Sequence, residues 1–211
     1  VDNNYQLSKE VMDKTYEFIK DLDLEKIRKI KGLGNADAIE VAIGSAIIKA
    51  FYDELPIKEI TITSSSIREG ILCQNILNTS QERFNDLLSN SLDNYYEFVK
   101  DEFSINPLVY NMAIILFKQL KVMHKLPRYY VKPLRIAAFM YNSGKSINAE
   151  HYSKYSVEKI VFSDIKGATH RELLIAGFIA VCQNLDDFSL NEWIKYKDIL
   201  KEEDLDAVRK L

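Results

Sequence analysis

The sequence predicts a mainly α-helical protein that begins with a short α/β segment. Apolar residues recur at helical spacing along most of the 211 residues. Only Lys58–Thr63 alternates polar with β-branched apolar side chains, as a strand does. Beyond residue 79, helix-start signatures repeat and no further strand is read.

In chain order, Val11, Thr15, Phe18, Ile19 and Leu22 fall on one face of a first helix. Asp23 caps a short second helix through Ile30, which stops at Gly32 and Gly34. Asn35 caps a third helix over 36–54, ended by Pro56. The strand follows. With no second strand read, its backbone groups must pair with a sheet from absent sequence or from another copy. Gly70 then permits a turn at Arg68-Glu69-Gly70. Three capping boxes mark later helix starts: Thr79 with Glu82, Thr169 with Glu172, and Ser189 with Glu192. Pro107 opens a buried helix to His124, with Leu108, Met112, Ile115, Leu116 and Leu120 as its apolar stripe. Pro127 and Pro133 bracket a linker rich in aromatic and basic residues, followed by a helix over 134–141. Residues 142–155 form a polar loop containing Gly144. Helices over 156–162 and 169–183 flank a turn at 164–167, and 190–211 is helical again.

A chain of this length buries a sizeable core and lies near the border between one domain and two. Cys73 and Cys182 lack metal-ligand spacing and read as reduced core residues of a cytoplasmic protein. No apolar run reaches membrane-spanning length. Val1, where an initiating Met is expected, suggests a trimmed or excised chain.

Net charge is −3, but it is segregated. Between Lys118 and Arg171 stand eleven Lys or Arg against three acids, and all three histidines lie there. Such a stretch is the footprint of a polyanion site, unless acids from elsewhere cancel it in the fold. His124, His151 and His170 bind a metal only if the fold gathers them. His170-Arg171 at a helix start suits an anion contact, or else an ordinary first turn. Arg68 forks onto a phosphate or makes a structural ion pair. The serines 64–66 offer hydroxyls to phosphate or close a turn. Tyr129, Tyr130, Tyr152 and Tyr155 stack on nucleic-acid bases or pack a core, and core packing is the more economical reading. No Walker loop, nucleophile elbow or paired Cys-x-x-Cys is present.

Two front segments, Lys31-Gly-Leu-Gly-Asn-Ala-Asp-Ala-Ile39 and the run from Glu59 through Ile67-Arg68-Glu69-Gly70 to Leu72, carry a resemblance. They resemble the end of the actin-like (ribonuclease H-like) core of the exopolyphosphatase / guanosine pentaphosphate phosphohydrolase family. Further on, Leu134-Arg-Ile-Ala-Ala-Phe-Met-Tyr-Asn-Ser-Gly-Lys-Ser-Ile-Asn148, His151-Tyr-Ser-Lys-Tyr-Ser-Val-Glu-Lys-Ile160 and Phe162-Ser-Asp-Ile-Lys-Gly167 are similar to motifs of that family's HD-like helical domain.

The resemblance implies residues 1–74 as the tail of the actin-like lobe and 79–211 as the HD-like domain. The family's metal-ligand pair falls on Tyr141-Asn142, and its paired histidines fall on Ser153 and Tyr155. Those side chains do not replace carboxylate and imidazole around a divalent ion, so no metal is expected in this chain. Mg2+ belongs to the parent hydrolase, whose phosphate loops and water-activating glutamate precede Val1 in the family pattern.

The implied role is therefore polyanion binding and homodimer formation, without catalysis by this piece. The partners are polyphosphate or a phosphorylated guanine nucleotide and the missing N-terminal lobe, with no membrane, and nucleic acid is the less favoured partner. Candidate phosphate contacts are Arg68, Arg128, Arg135, Lys145, Lys154, Lys166 and Arg171. Three alternatives remain: a stand-alone regulator that binds guanosine tetra- or pentaphosphate or polyphosphate, an HD-type metal-dependent phosphohydrolase, and a nucleic-acid grip by the basic stretch with Tyr129, Tyr130, Tyr152 and Tyr155 stacking on bases.

Overall fold

The computed structural model describes residues 5–30, 33, 37–63, 65–76, 86–100, 107–182 and 189–211. It is mainly helical and divides into two compact units, residues 1–66 and 67–211.

The first unit runs β1 (Gln6–Ser8), α1 (Lys9–Ile19), α2 (Leu24–Arg28), α3 (Ala38–Glu54) and β2 (Glu59–Thr61). The strand has its partner within the chain, contrary to the sequence expectation. β1 pairs antiparallel with β2 in the register Gln6 to Thr61, Leu7 to Ile60 and Ser8 to Glu59. A three-residue strand shows no alternation, so β1 has no signature in the sequence. Ser8 ends it and caps α1, accepting a hydrogen bond from Val11 N. α1 buries Met12 and Ile19, while Val11 and Phe18 of the predicted stripe are exposed. Asp23 caps α2 as the sequence indicates, accepting from Lys26 N at 2.8 Å. The cap of α3 is Asp37, whose Oδ1 accepts from Ile39 N at 2.7 Å; Asn35 lies outside the described residues. Ile19, Ile27 and Ala38 make the small core, and Tyr52 of α3 donates its hydroxyl to Leu7 O.

The second unit is all helix among the described residues. It contains α4 (Ile67–Ile76), α5 (Leu87–Val99), α6 (Pro107–Gln119), α7 (Lys121–His124), α8 (Val131–Met140), α9 (Tyr152–Val161), α10 (His170–Val181), α11 (Leu190–Lys195) and α12 (Glu202–Lys210). Several sequence expectations need correction here. Arg68-Glu69-Gly70 lies in α4 rather than in a turn. The helix from Pro107 breaks at Leu120, and Leu108, Met112, Ile115, Leu116 and Leu120 are exposed; the buried residues among those described are Phe117 and His124. Pro133 sits in the first turn of α8, where its missing N–H leaves no helical bond unmade. The polar loop holds a 3-10 segment, Ser143–Ser146, and α9 already begins at Tyr152. Ser189 caps α11 without a side-chain bond, so its capping box does not form. The Thr169–Glu172 box does form. The box at Thr79 lies outside the described residues.

α10 is the centre of this unit. It is apolar around most of its girth, as a helix covered on all sides must be. Leu173, Ala176 and Ala180 face one cluster with Leu92, Ile136, Met140 and Ile160. Leu174, Ile175 and Phe178 face another with Leu134, Trp193 and Val208. The basic stretch is thus laid over two layers of core.

Candidate functional site

At least three of the seven candidate cations are engaged with carboxylates among the described residues. Arg171, in the first turn of α10, is the most committed. Its Nε donates to Asp204 Oδ2 at 2.9 Å, and its Nη2 donates to Asp204 Oδ1 at 2.8 Å and Glu203 Oε1 at 3.0 Å. Its guanidinium also lies 5.2 Å from the centre of the Tyr129 ring. Asp204 is fully buried and further accepts from Tyr130 OH at 2.9 Å and Lys201 N at 2.8 Å. The Asp204 carboxylate holds the Arg171 pKa above its ordinary value. Burial, then the hydrogen bond to Asp204, pushes Tyr130 up. Burial, then nearby Glu172, pushes Tyr129 up to about 12.

Arg135 on α8 reaches α5 and α6. Nε donates to Tyr110 OH at 2.9 Å, and Nη2 donates to Asp86 Oδ2 at 3.0 Å and to Ser89 Oγ. Asp86 caps α5, accepting from Ser89 N at 3.0 Å. That backbone bond, the Ser89 hydroxyl and the Arg135 guanidinium draw the Asp86 carboxyl down to about 2. Lys166 Nζ stands 2.8 Å from Asp164 and 3.9 Å from Glu69. Lys132, not among the candidates, is also engaged, donating to Gly167 O at 2.9 Å and lying 3.3 Å from the buried Glu172. Acids from both flanks of the basic stretch therefore neutralise much of it.

The other four candidates are exposed: Arg68 on α4, Arg128 in the 3-10 turn Arg128–Tyr130, Lys145 and Lys154. Lys145 stands where a 3-10 turn meets α9. There the 3-10 segment Ser143–Ser146 packs on α9 so closely that a Cβ on Gly144 would stand 2.2 Å from Tyr152 O and 2.6 Å from Ser156 N. Gly144 N donates to Ser156 Oγ at 2.9 Å, which holds the two together. The packing places Lys145 Nζ 4.9 Å over the Tyr152 ring and Lys159 Nζ 2.8 Å from Ser146 Oγ. Asn148 Oδ1 accepts from Glu150 N and His151 N, both at 2.9 Å, and fixes the chain's entry into α9. Two ammonium groups and a serine hydroxyl thus flank one rigid corner. Lys159 was missed in the sequence. It follows Lys154 by five residues on α9, and only the docking of the 3-10 segment reveals its bond to Ser146.

Lys154 points elsewhere on α9. It borders a cavity of about 580 Å³ between α9, α10 and α11. Val157, Val161, Phe178, Val181 and Tyr196 give that cavity apolar walls, and Glu158, Glu192 and Lys195 add charge.

Among the described residues no group of three or more His, Cys, Asp or Glu is placed to hold a metal ion. Asn142 and Ser153, where the resemblance puts metal ligands, are buried. His124 uses both ring nitrogens within the fold: Nδ1 accepts from Leu126 N at 2.8 Å and Nε2 lies 2.7 Å from Phe117 O. Cys182 is a free, half-buried thiol that burial pushes up in pKa. No helix among the described residues is long and apolar enough to cross a membrane. No protein-family model matches the chain, and no curated protein matches its sequence.

Proposed function

We propose that this chain is the C-terminal region of an exopolyphosphatase-like phosphoanhydride hydrolase: an HD-like helical domain after a remnant of an actin-like lobe. Its own part is to hold the polyanion, not to hydrolyse it. The parent, a cytoplasmic enzyme, supplies the Mg2+ site and the attacking water from its N-terminal lobe. The observation that supports this reading is the Lys145–Ser146–Lys159 corner, where an exposed and a half-buried lysine and a hydroxyl stand beside a tightly packed backbone. Lys154, Arg128 and Arg68 are further exposed cations that a polymer would meet as separate screened point charges. Arg135, Lys166 and Arg171 shape the fold instead, because their carboxylate partners compete with any phosphate.

About three phosphate contacts, at the slope of a flexible single strand, imply a change of about twentyfold in affinity between 50 and 200 mM salt. Titration of medium-chain polyphosphate into the protein at several salt concentrations measures it. Replacing Lys145 and Lys159 by alanine together is expected to weaken binding about tenfold and to flatten the slope. Affinity that ignores salt, or survives the double replacement, sinks the proposal.

A second reading draws on the cavity beside Lys154: a regulator that seats a guanine base against Phe178 and Tyr196 and leaves the phosphates to Lys154. Saturable one-to-one binding of guanosine pentaphosphate, with none of polyphosphate and loss on Val157→Trp, selects it over the first.

A further inference from the structure

Where α6 gives way to α7, the second unit carries an open apolar groove of about 370 Å³. Phe117 and Leu134, both buried, lie in it. Ala113, Leu116, Leu120 and Met123 line it from the α6–α7 side, and Lys210 and Leu211 line it from the end of α12. The chain bends at Leu120 without losing its helical bonding. Leu120 N donates to Leu116 O at 2.8 Å, and His124 N donates to Leu120 O at 3.0 Å. Ala113, Leu116, Leu120 and Met123 therefore follow one another at 3-4-3 spacing along one side. That spacing is the seam one helix offers to another. The row covers about 15 Å, the length of roughly three turns of a partner helix. Its side chains are uncovered: Leu116 and Leu120 are 44% and 42% exposed, and Met123 is 77% exposed. Methionine adapts its shape to whatever side chain it meets.

Charge around the groove selects the occupant. No acid lines it, and residues 107–126 hold none. Lys210 lines it, while Lys121 opens α7 and Lys125 caps it. None of these three ammonium groups is ion-paired among the described residues, whereas Lys132, Arg135 and Arg171 are. Of the acids on α12, Glu203 and Asp204 hold Arg171. Asp206 borders a separate depression beside Tyr129 and Tyr130, which Lys210 also borders. Unpaired positive charge beside an apolar seam complements a helix with an apolar stripe and acidic flanks. A lipid surface takes up convex apolar residues instead. Val122, at 84% exposure, is such a residue, and it does not line the groove.

We propose that this groove docks an acidic amphipathic helix of another protein. The helix sets its apolar stripe against Leu116, Leu120 and Met123 and its carboxylates towards Lys121, Lys125 and Lys210. The inference stands independently of the polyanion reading.

The probe is a labelled sixteen-residue peptide with leucine along one helical face and glutamate elsewhere, titrated into the whole chain by fluorescence anisotropy. Binding with a Kd below about 100 µM is expected, with the methyl resonances of Leu120 and Met123 shifting as the site fills. Leu120→Glu should weaken it about tenfold or more. Lys121→Glu and Lys210→Glu together should weaken it as much, and should admit a matching peptide with lysine in place of glutamate. All three positions are exposed, so the circular dichroism spectrum should not change. Val122→Ser should leave the affinity unchanged. Four outcomes overturn the proposal: no binding of the glutamate peptide; equal binding when its leucines are scrambled; binding indifferent to Leu120→Glu; or a groove already closed by a second copy, seen in sedimentation as a dimer that Leu120→Glu dissociates. Vesicles containing phosphatidylserine that bind the chain through Val122, with no peptide binding, overturn it in favour of a lipid surface. Polyphosphate affinity is a separate titration and does not decide this one.

Discussion

Asp204 shows how a side chain is committed by its neighbours. Four donor contacts from Arg171, Tyr130 and the Lys201 backbone converge on a carboxylate with no exposed surface. Removing it strands a mostly buried guanidinium. Asp204→Ala is expected to cost about 3–5 kcal/mol, and Tyr130→Phe only about 1 kcal/mol, in chemical denaturation. Nothing in the sequence joins residues 171 and 204; Arg171 looked like an anion contact because its partner is 33 residues away. Asp86 leads to a pH prediction. Its folded pKa is drawn down to about 2 from 3.8, so its contribution is full above about pH 4 and is lost as pH falls towards 2. Its side chain is half exposed, so screening reduces that contribution to about 1 kcal/mol. Asp86→Asn is expected to remove this much of the acid-limb slope in a stability-versus-pH series.

At the scale of elements, two glycines make opposite forecasts. Gly44 lies within α3 with open space where a Cβ would go. Gly44→Ala is expected to stabilise by about 0.5–1 kcal/mol through helix propensity alone. Gly144 packs its backbone against that of α9, so Gly144→Ala is expected to destabilise by at least about 2 kcal/mol and to displace Lys145 with it. Thermal melts of the two variants should move in opposite directions. Capping chemistry was legible where donor and acceptor are near in sequence, as at Asp23 and Thr169. The phase of a helix was less so. α1 and α6 carry apolar residues on more than one face, and periodicity cannot say which face a neighbour will cover. β1 was invisible because three residues define no pattern and their partner lies more than fifty residues on.

At the scale of the molecule, the second unit holds nineteen basic and nineteen acidic residues, so its net charge vanishes. The excess in the basic stretch is met by Asp86, Glu69, Glu172, Glu203 and Asp204 from the flanks. On the proposed reading a polyanion would meet a local corner rather than a long-range field, and little electrostatic steering is expected: its association rate should change with salt far less than its dissociation rate in stopped-flow mixing. The amino-acid sequence by itself determined that the chain is mainly helical, where several helices begin, and that positive charge gathers in one stretch. These follow from local periodicity, caps and composition. Only the tertiary structure decided which carboxylates Arg135, Lys166 and Arg171 meet, which apolar faces are covered and where β2 finds its partner. Each of those depends on groups far apart in the chain, whose meeting is set by the packing of whole helices.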